Sequence, residues 1–171
     1  MHATLITLRL LHVVLATFWG GTLIFIALFL EPSVRAAGPA GGAVMQGLQQ
    51  RGYFTVMPIV AIVAILSGGW LLWIDSAGFD PVFMGSPKGI AYSTGALAAL
   101  VAFAFGVTRV RGDSTRMGAL GAEMAALAAG APRDAQMAEM GRLRERVKVG
   151  LRVVASLLFV AVVTMAVARY L

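Results

Sequence analysis

Ionisable side chains are scarce in the long apolar stretches of this chain. Each is expensive to hold in hydrocarbon, so those present mark where chemistry would sit. His12 is the most informative. At a rise of 1.5 Å per residue it lies about two turns inside the first apolar block, too deep to snorkel to an interface, and so should face inward. A neutral imidazole there has two uses: it can be the axial ligand of a b-type haem, the one metal role assigned to this chain, or it can hydrogen-bond a neighbouring helix.

Arg9 stands at i−3 from His12, one turn outward on the same face. With a haem present it would pair with a propionate; otherwise it snorkels to headgroups or meets Asp75. Lys88 opens a later apolar block on the same side and offers a second partner for an anionic group, or an interfacial anchor. Trp19 shares a face with His12 and would wall a pocket or fill the core. The cofactor-binding candidates are therefore His12, Arg9, Lys88 and Trp19, with His12 as the metal ligand. Met165 reaches a plausible depth for a second axial ligand, but methionine in an apolar helix is usually packing.

Other chemistries find less support. Met1, His2, Met57 and Met84 are soft enough for copper, yet no His-Met or Met-x-x-Met cluster joins them. No catalytic residue is assigned: no apolar block carries Asp or Glu at its centre, and two histidines make no visible triad or metalloprotease motif. Cysteine is absent, which excludes disulfides, thiolate metal sites and a cysteine nucleophile.

The elements that must position these residues follow from composition. Of 171 residues 59% are hydrophobic and 13% charged, and the mean hydropathy is +0.84. The apolar residues come in blocks long enough to cross a hydrocarbon core of about 30 Å, which takes roughly 20 helical residues. We expect an all-α integral membrane four-helix bundle, one transmembrane domain over residues 1–171, with spans near 4–30, 53–74, 89–108 and 149–168. A β-barrel is excluded because the blocks do not alternate with period two. The first block is too long for a cleaved h-region and is read as a retained span, although Ala36-Ala37-Gly38 leaves cleavage open.

The connections differ in kind. Glu31-Pro32 and Gly38-Pro39-Ala40-Gly41-Gly42 should keep the first helix from simply continuing, and residues 75–87 should be short and irregular. Residues 114–129 place Met117, Leu120, Gly121, Met124 and Leu127 at i, i+3, i+4 spacing, which predicts an amphipathic cytoplasmic helix on the membrane surface, ended by Gly130-Ala131-Pro132. From Asp134 no proline intervenes, so the fourth span should begin as a water-exposed helix carrying Arg142, Arg144, Arg146 and Lys148.

The net charge of +6 and the pI of 10.8 come from basic residues beside the apolar blocks, which anionic lipid and topology explain without nucleic acid. The first and third connections hold most of them, so the positive-inside rule puts both chain ends outside, on the periplasmic face of a bacterial inner (cytoplasmic) membrane. Small residues at Ala98, Ala102 and Gly106, and the pairs Gly20-Gly21 and Gly68-Gly69, would let backbones approach closely or leave room for a flat cofactor.

The run Leu11-His12-Val13-Val14-Leu15-Ala16-Thr17-Phe18-Trp19-Gly20-Gly21 resembles the first helix of the copper-resistance protein D superfamily, in which a Leu-His pair precedes a Trp-Gly element by about two turns. That superfamily includes the HemJ type of protoporphyrinogen oxidase. The resemblance implies that His12 corresponds to a haem histidine and Lys88 to a functional lysine. The further histidines of the HemJ type and the metal-handling motifs of a copper importer are missing here.

Three functions are thus in view. The first is haem b held through His12 for electron transfer or porphyrin-linked redox chemistry. The second is a non-catalytic accessory subunit of a larger membrane complex, whose partners are lipids and other subunits. The third is copper or small-solute transport, against which stands the lack of broken helices with paired ionisable residues.

Overall fold

The computed structural model describes residues 2–127 and 133–171, and these form helices and turns without a strand. Helix α1 (His2–Phe25) runs through a π-helical turn (Ile26–Leu30) straight into α2 (Glu31–Ala36). In that turn the Glu31 N–H reaches back five residues to the Ile26 carbonyl. Pro32 follows at the start of α2. The expected stop at Glu31-Pro32 is therefore not one: the chain stays helical until Ala37-Gly38, where Gly38 takes φ +58°, and α3 (Pro39–Gln50) folds back. Gly41 lies so close beneath α2 that a Cβ there would strike the Val34 carbonyl.

Gly52, at φ +79°, leads into α4 (Tyr53–Asp75), which contains Pro58. The next connection is short as expected and opens irregularly, with positive φ at Ala77, Gly78 and Phe79 in succession, but residues 81–85 within it are helical. Side chains then start two helices in the manner of N-caps. Asp80 accepts from the Phe83 N–H at 3.0 Å to open α5 (Pro81–Gly85), and Ser86 accepts from the Gly89 N–H at 3.1 Å to open α6 (Pro87–Phe105). A second π turn (Gly106–Val110) carries α6 into α7 (Arg111–Ala126). Helix α8 (Asp134–Ala168) closes the fold.

Four helical runs are long and apolar enough to cross a membrane. Helix α1 packs on α4 and α8, and α6 packs broadly on α8 and less on α4. Trp19, Ala61, Ala102, Val154 and Leu158 meet at the centre. The small residues of α6 act by letting α8 in: Ala102 is fully buried, and a Cβ on Gly95 would lie 2.7 Å from Thr164 Oγ1 and 2.8 Å from Met165 Cγ. Met165 is thus packing against α6.

At 35 residues α8 is about 52 Å long, more than a hydrocarbon core of about 30 Å requires, so it has several turns beyond what one span needs. The first turns of α8 are not isolated. Helix α7 lies along them, with Leu120 1% exposed between Met140 and Leu143 and with Met117 and Met124 around it. A helix does cover most of the expected stretch, and its Leu120 side is packed on α8; a methionine and leucine stripe suits a protein partner as well as a lipid one. Residues 128 and 129 of the expected helix and the Gly130-Ala131-Pro132 break lie outside the described residues, as does Met1.

Candidate functional site

His12 faces α4. Its Nδ1 lies 2.8 Å from the carbonyl oxygen of Ala64. A carbonyl only accepts, so Nδ1 carries the proton and Nε2 keeps its lone pair in the neutral ring. The same oxygen accepts from Ser67 Oγ at 3.0 Å, and Ser67 Oγ also donates to Val63 at 2.7 Å. Two side chains thus converge on one turn of α4. The imidazole can come this near only because residue 68 is glycine: a Cβ there would lie 2.5 Å from His12 Cε1. Of the glycine pairs flagged in the sequence, Gly68 seats the ring, while nothing approaches within 4 Å of where a Cβ would stand at Gly20, Gly21 or Gly69.

One turn outward, Arg9 Nη2 stands 3.9 Å from Asp75 Oδ2, with the arginine side chain 68% exposed. Exposed pairs at such separation contribute little, about 0.2–1 kcal/mol. In the other direction Trp19 is 5% exposed, edge-on to Phe103 with ring centroids 6.4 Å apart. Arg9, His12 and Trp19 therefore follow one another down α1 against Asp75, Gly68 and Ala61 of the antiparallel α4. Lys88, half-buried at the start of α6, is joined to none of them by a hydrogen bond or ion pair among the described residues.

No family model, curated protein or solved structure matches this chain.

Beside His12 the donor chemistry suits a haem, since a ligating histidine commonly gives its other ring N–H to a carbonyl. The space does not. The gap that glycine opens is filled by the imidazole itself, and His12 lines neither the apolar cavity beside Trp19 nor the cleft beside Arg109. Among the described residues no three His, Asp or Glu side chains gather as metal ligands.

Two other features had no sign in the residue pattern. An apolar cavity of about 110 Å³ opens toward the Arg111 end of the helices, walled by all four long runs and reaching Trp19, Ala61 and Ala102 at its floor. Such a space arises only when four helices are assembled, so no local pattern could announce it. The second is Glu31, whose Oε2 is buried without a hydrogen-bond partner; Glu31-Pro32 reads in the sequence merely as a breaker.

At the projecting pair of helices, charges tie α7 to α8. Arg116 reaches Glu139 at 2.9 Å and Glu123 at 2.8 Å, and these hydrogen bonds raise its already high pKa. Arg146 meets Asp113 at 3.3 Å. Glu145 is held below the usual carboxylate range, first by its hydrogen bond from Lys148.

Proposed function

We propose that this chain is a multi-pass membrane protein, a four-helix bundle of an inner membrane with both ends outside, that acts as a non-catalytic subunit or binding scaffold. The observation that carries the reading is the His12 to Ala64 hydrogen bond seated on Gly68. The imidazole within the apolar blocks is engaged in joining α1 to α4, and Arg9 beside it faces Asp75. Basic residues of the α7 and α8 pair, with Arg35 and Arg51, support a cytoplasmic location for that end under the positive-inside rule.

The absence of cysteine makes the topology easy to test. Single cysteines at the exposed positions Val82 and Gly118 should behave oppositely toward a membrane-impermeant maleimide. Val82→Cys should label in intact spheroplasts and Gly118→Cys only after permeabilisation. A protein that leaves the membrane in alkaline carbonate would sink the reading altogether.

A second reading rests on Nε2 of His12, whose lone pair is left free by the Ala64 bond. Haem b on that nitrogen, in the manner of the copper-resistance D and HemJ-like proteins that the first helix resembles, would need a site completed outside this chain. An oxidised-minus-reduced spectrum of protein expressed with ample haem separates the readings: a Soret band lost in His12→Ala favours haem, and a colourless wild type removes it.

A further inference from the structure

The cavity at the Arg111 end combines three observations. First, its walls are apolar and partly aromatic, with Trp19, Phe54 and Phe103 among them, and its volume of about 110 Å³ is near that of an engineered apolar cavity of about 150 Å³ that takes up benzene. Along α6 and α7 its lining extends from Ala102 to Ser114, about 18 Å of helix at 1.5 Å per residue.

Second, three of the four long runs are irregular where they border it. The first contributes Ile26 from its π turn, the third Gly106, Val107 and Val110 from its own, and α4 contributes Pro58. π turns cluster at functional sites, and Pro58 has no N–H for the carbonyl of Phe54, which also lines the space. Third, Arg111 stands at the rim, exposed and without an ion pair among the described residues, whereas Arg116 and Arg146 nearby are both paired.

We propose that this cavity is a binding site for an anionic phospholipid of the inner leaflet, with acyl chain carbons against Trp19 and Phe103 and the headgroup on Arg111. The proposal rests on the membrane reading above. An acyl chain satisfies the walls because it asks for no hydrogen bond, and it enters between α4 and α6, the less closely packed pair. The guanidinium offers planar donors to the phosphate, and its charge selects a net negative lipid.

The test uses the full chain purified in mild detergent, exposed to phosphatidylglycerol or to phosphatidylcholine of the same acyl length, with retained lipid read by native mass spectrometry. Wild type should keep phosphatidylglycerol about fivefold better, the factor that one basic residue near an anionic surface supplies. Arg111→Gln should bring the two lipids to parity. Gly106→Leu should lose both: a Cβ at 106 has its nearest neighbour at 3.9 Å, so the backbone tolerates the change while the branch fills the cavity. Val107→Phe fills the same space from another residue and decides the matter where Gly106→Leu folds poorly.

Equal retention of both lipids by wild type, a preference unchanged in Arg111→Gln, or full retention in the filled variants each overturns the proposal. Failure of the membrane reading looks different: the chain would be soluble without detergent.

Discussion

The ring of His12 occupies the place where a side chain at position 68 would begin, with Cε1 2.5 Å and Nδ1 2.9 Å from the Cβ that Gly68 lacks. Ring and glycine are therefore two halves of one contact. Changing either should be felt through the other.

Gly68→Ala should cost about 1–3 kcal/mol, the usual range for overpacking, by driving the imidazole off the Ala64 carbonyl. In a His12→Ala background the same change should be close to neutral. Gly69→Ala next door, with open space around it, should be neutral or up to about 1 kcal/mol stabilising. Thermal unfolding in detergent of the four combinations at 12 and 68 reads the coupling. Equal costs of Gly68→Ala in both backgrounds would deny the contact.

A parallel contact holds α6 on α8. Gly95→Ala should likewise lower stability by about 1–3 kcal/mol, since Thr164 and Met165 are both too near to admit a methyl group. Met165→Ala should relieve part of that cost. If the double variant is no better than Gly95→Ala alone, Met165 is not the obstacle.

Leu120→Ala tests the pairing of α7 with α8. Truncating a leucine that is 1% exposed should cost about 2–5 kcal/mol, felt in the projecting pair. Hydrogen exchange should quicken over residues 111–126 while α4 stays protected. Unchanged exchange there would mean that α7 is held by something other than this seam.

Glu145 supplies a pH dependence. Its pKa lies below the ordinary value of about 4.3 because Lys148 donates to its carboxylate. A carboxyl group with a lowered folded pKa adds stability that is fully present above the unfolded value and is lost as pH falls through the folded one. The acid loss of helicity at the start of α8 should therefore be shallower in Glu145→Gln, with no difference between the proteins at neutral pH beyond a constant offset. An identical acid profile for both would remove the pairing. Glu145 is exposed although Lys148 is largely covered, so added salt should shrink the effect.

The four apolar runs and the unbroken length of α8 were legible because length and hydropathy depend on neighbours in sequence alone. For Arg9 the sequence offered a propionate, the headgroups or Asp75, the acid that ends the second apolar run, and it is Asp75 that lies near it. The partner of His12 was not, because a backbone carbonyl has no letter of its own. Pro32 misled because proline is harmless at a helix start, and here a π turn supplies such a start inside a continuing helix. The stripe Met117, Leu120, Met124 announced a buried face without saying whether lipid or α8 buries it.

A π turn carries one more residue than the α-helical turn it replaces, and at 3.6 residues per turn that rotates everything beyond it by about 100°. Across residues 106–110 the rotation sets the phase of α7 independently of α6. The same uninterrupted partner, α8, can then receive Gly95 on Thr164 and Met165 at one end and Leu120 on Met140 and Leu143 at the other. Deleting one residue from that turn would leave both helices intact and swing Leu120 out of the seam.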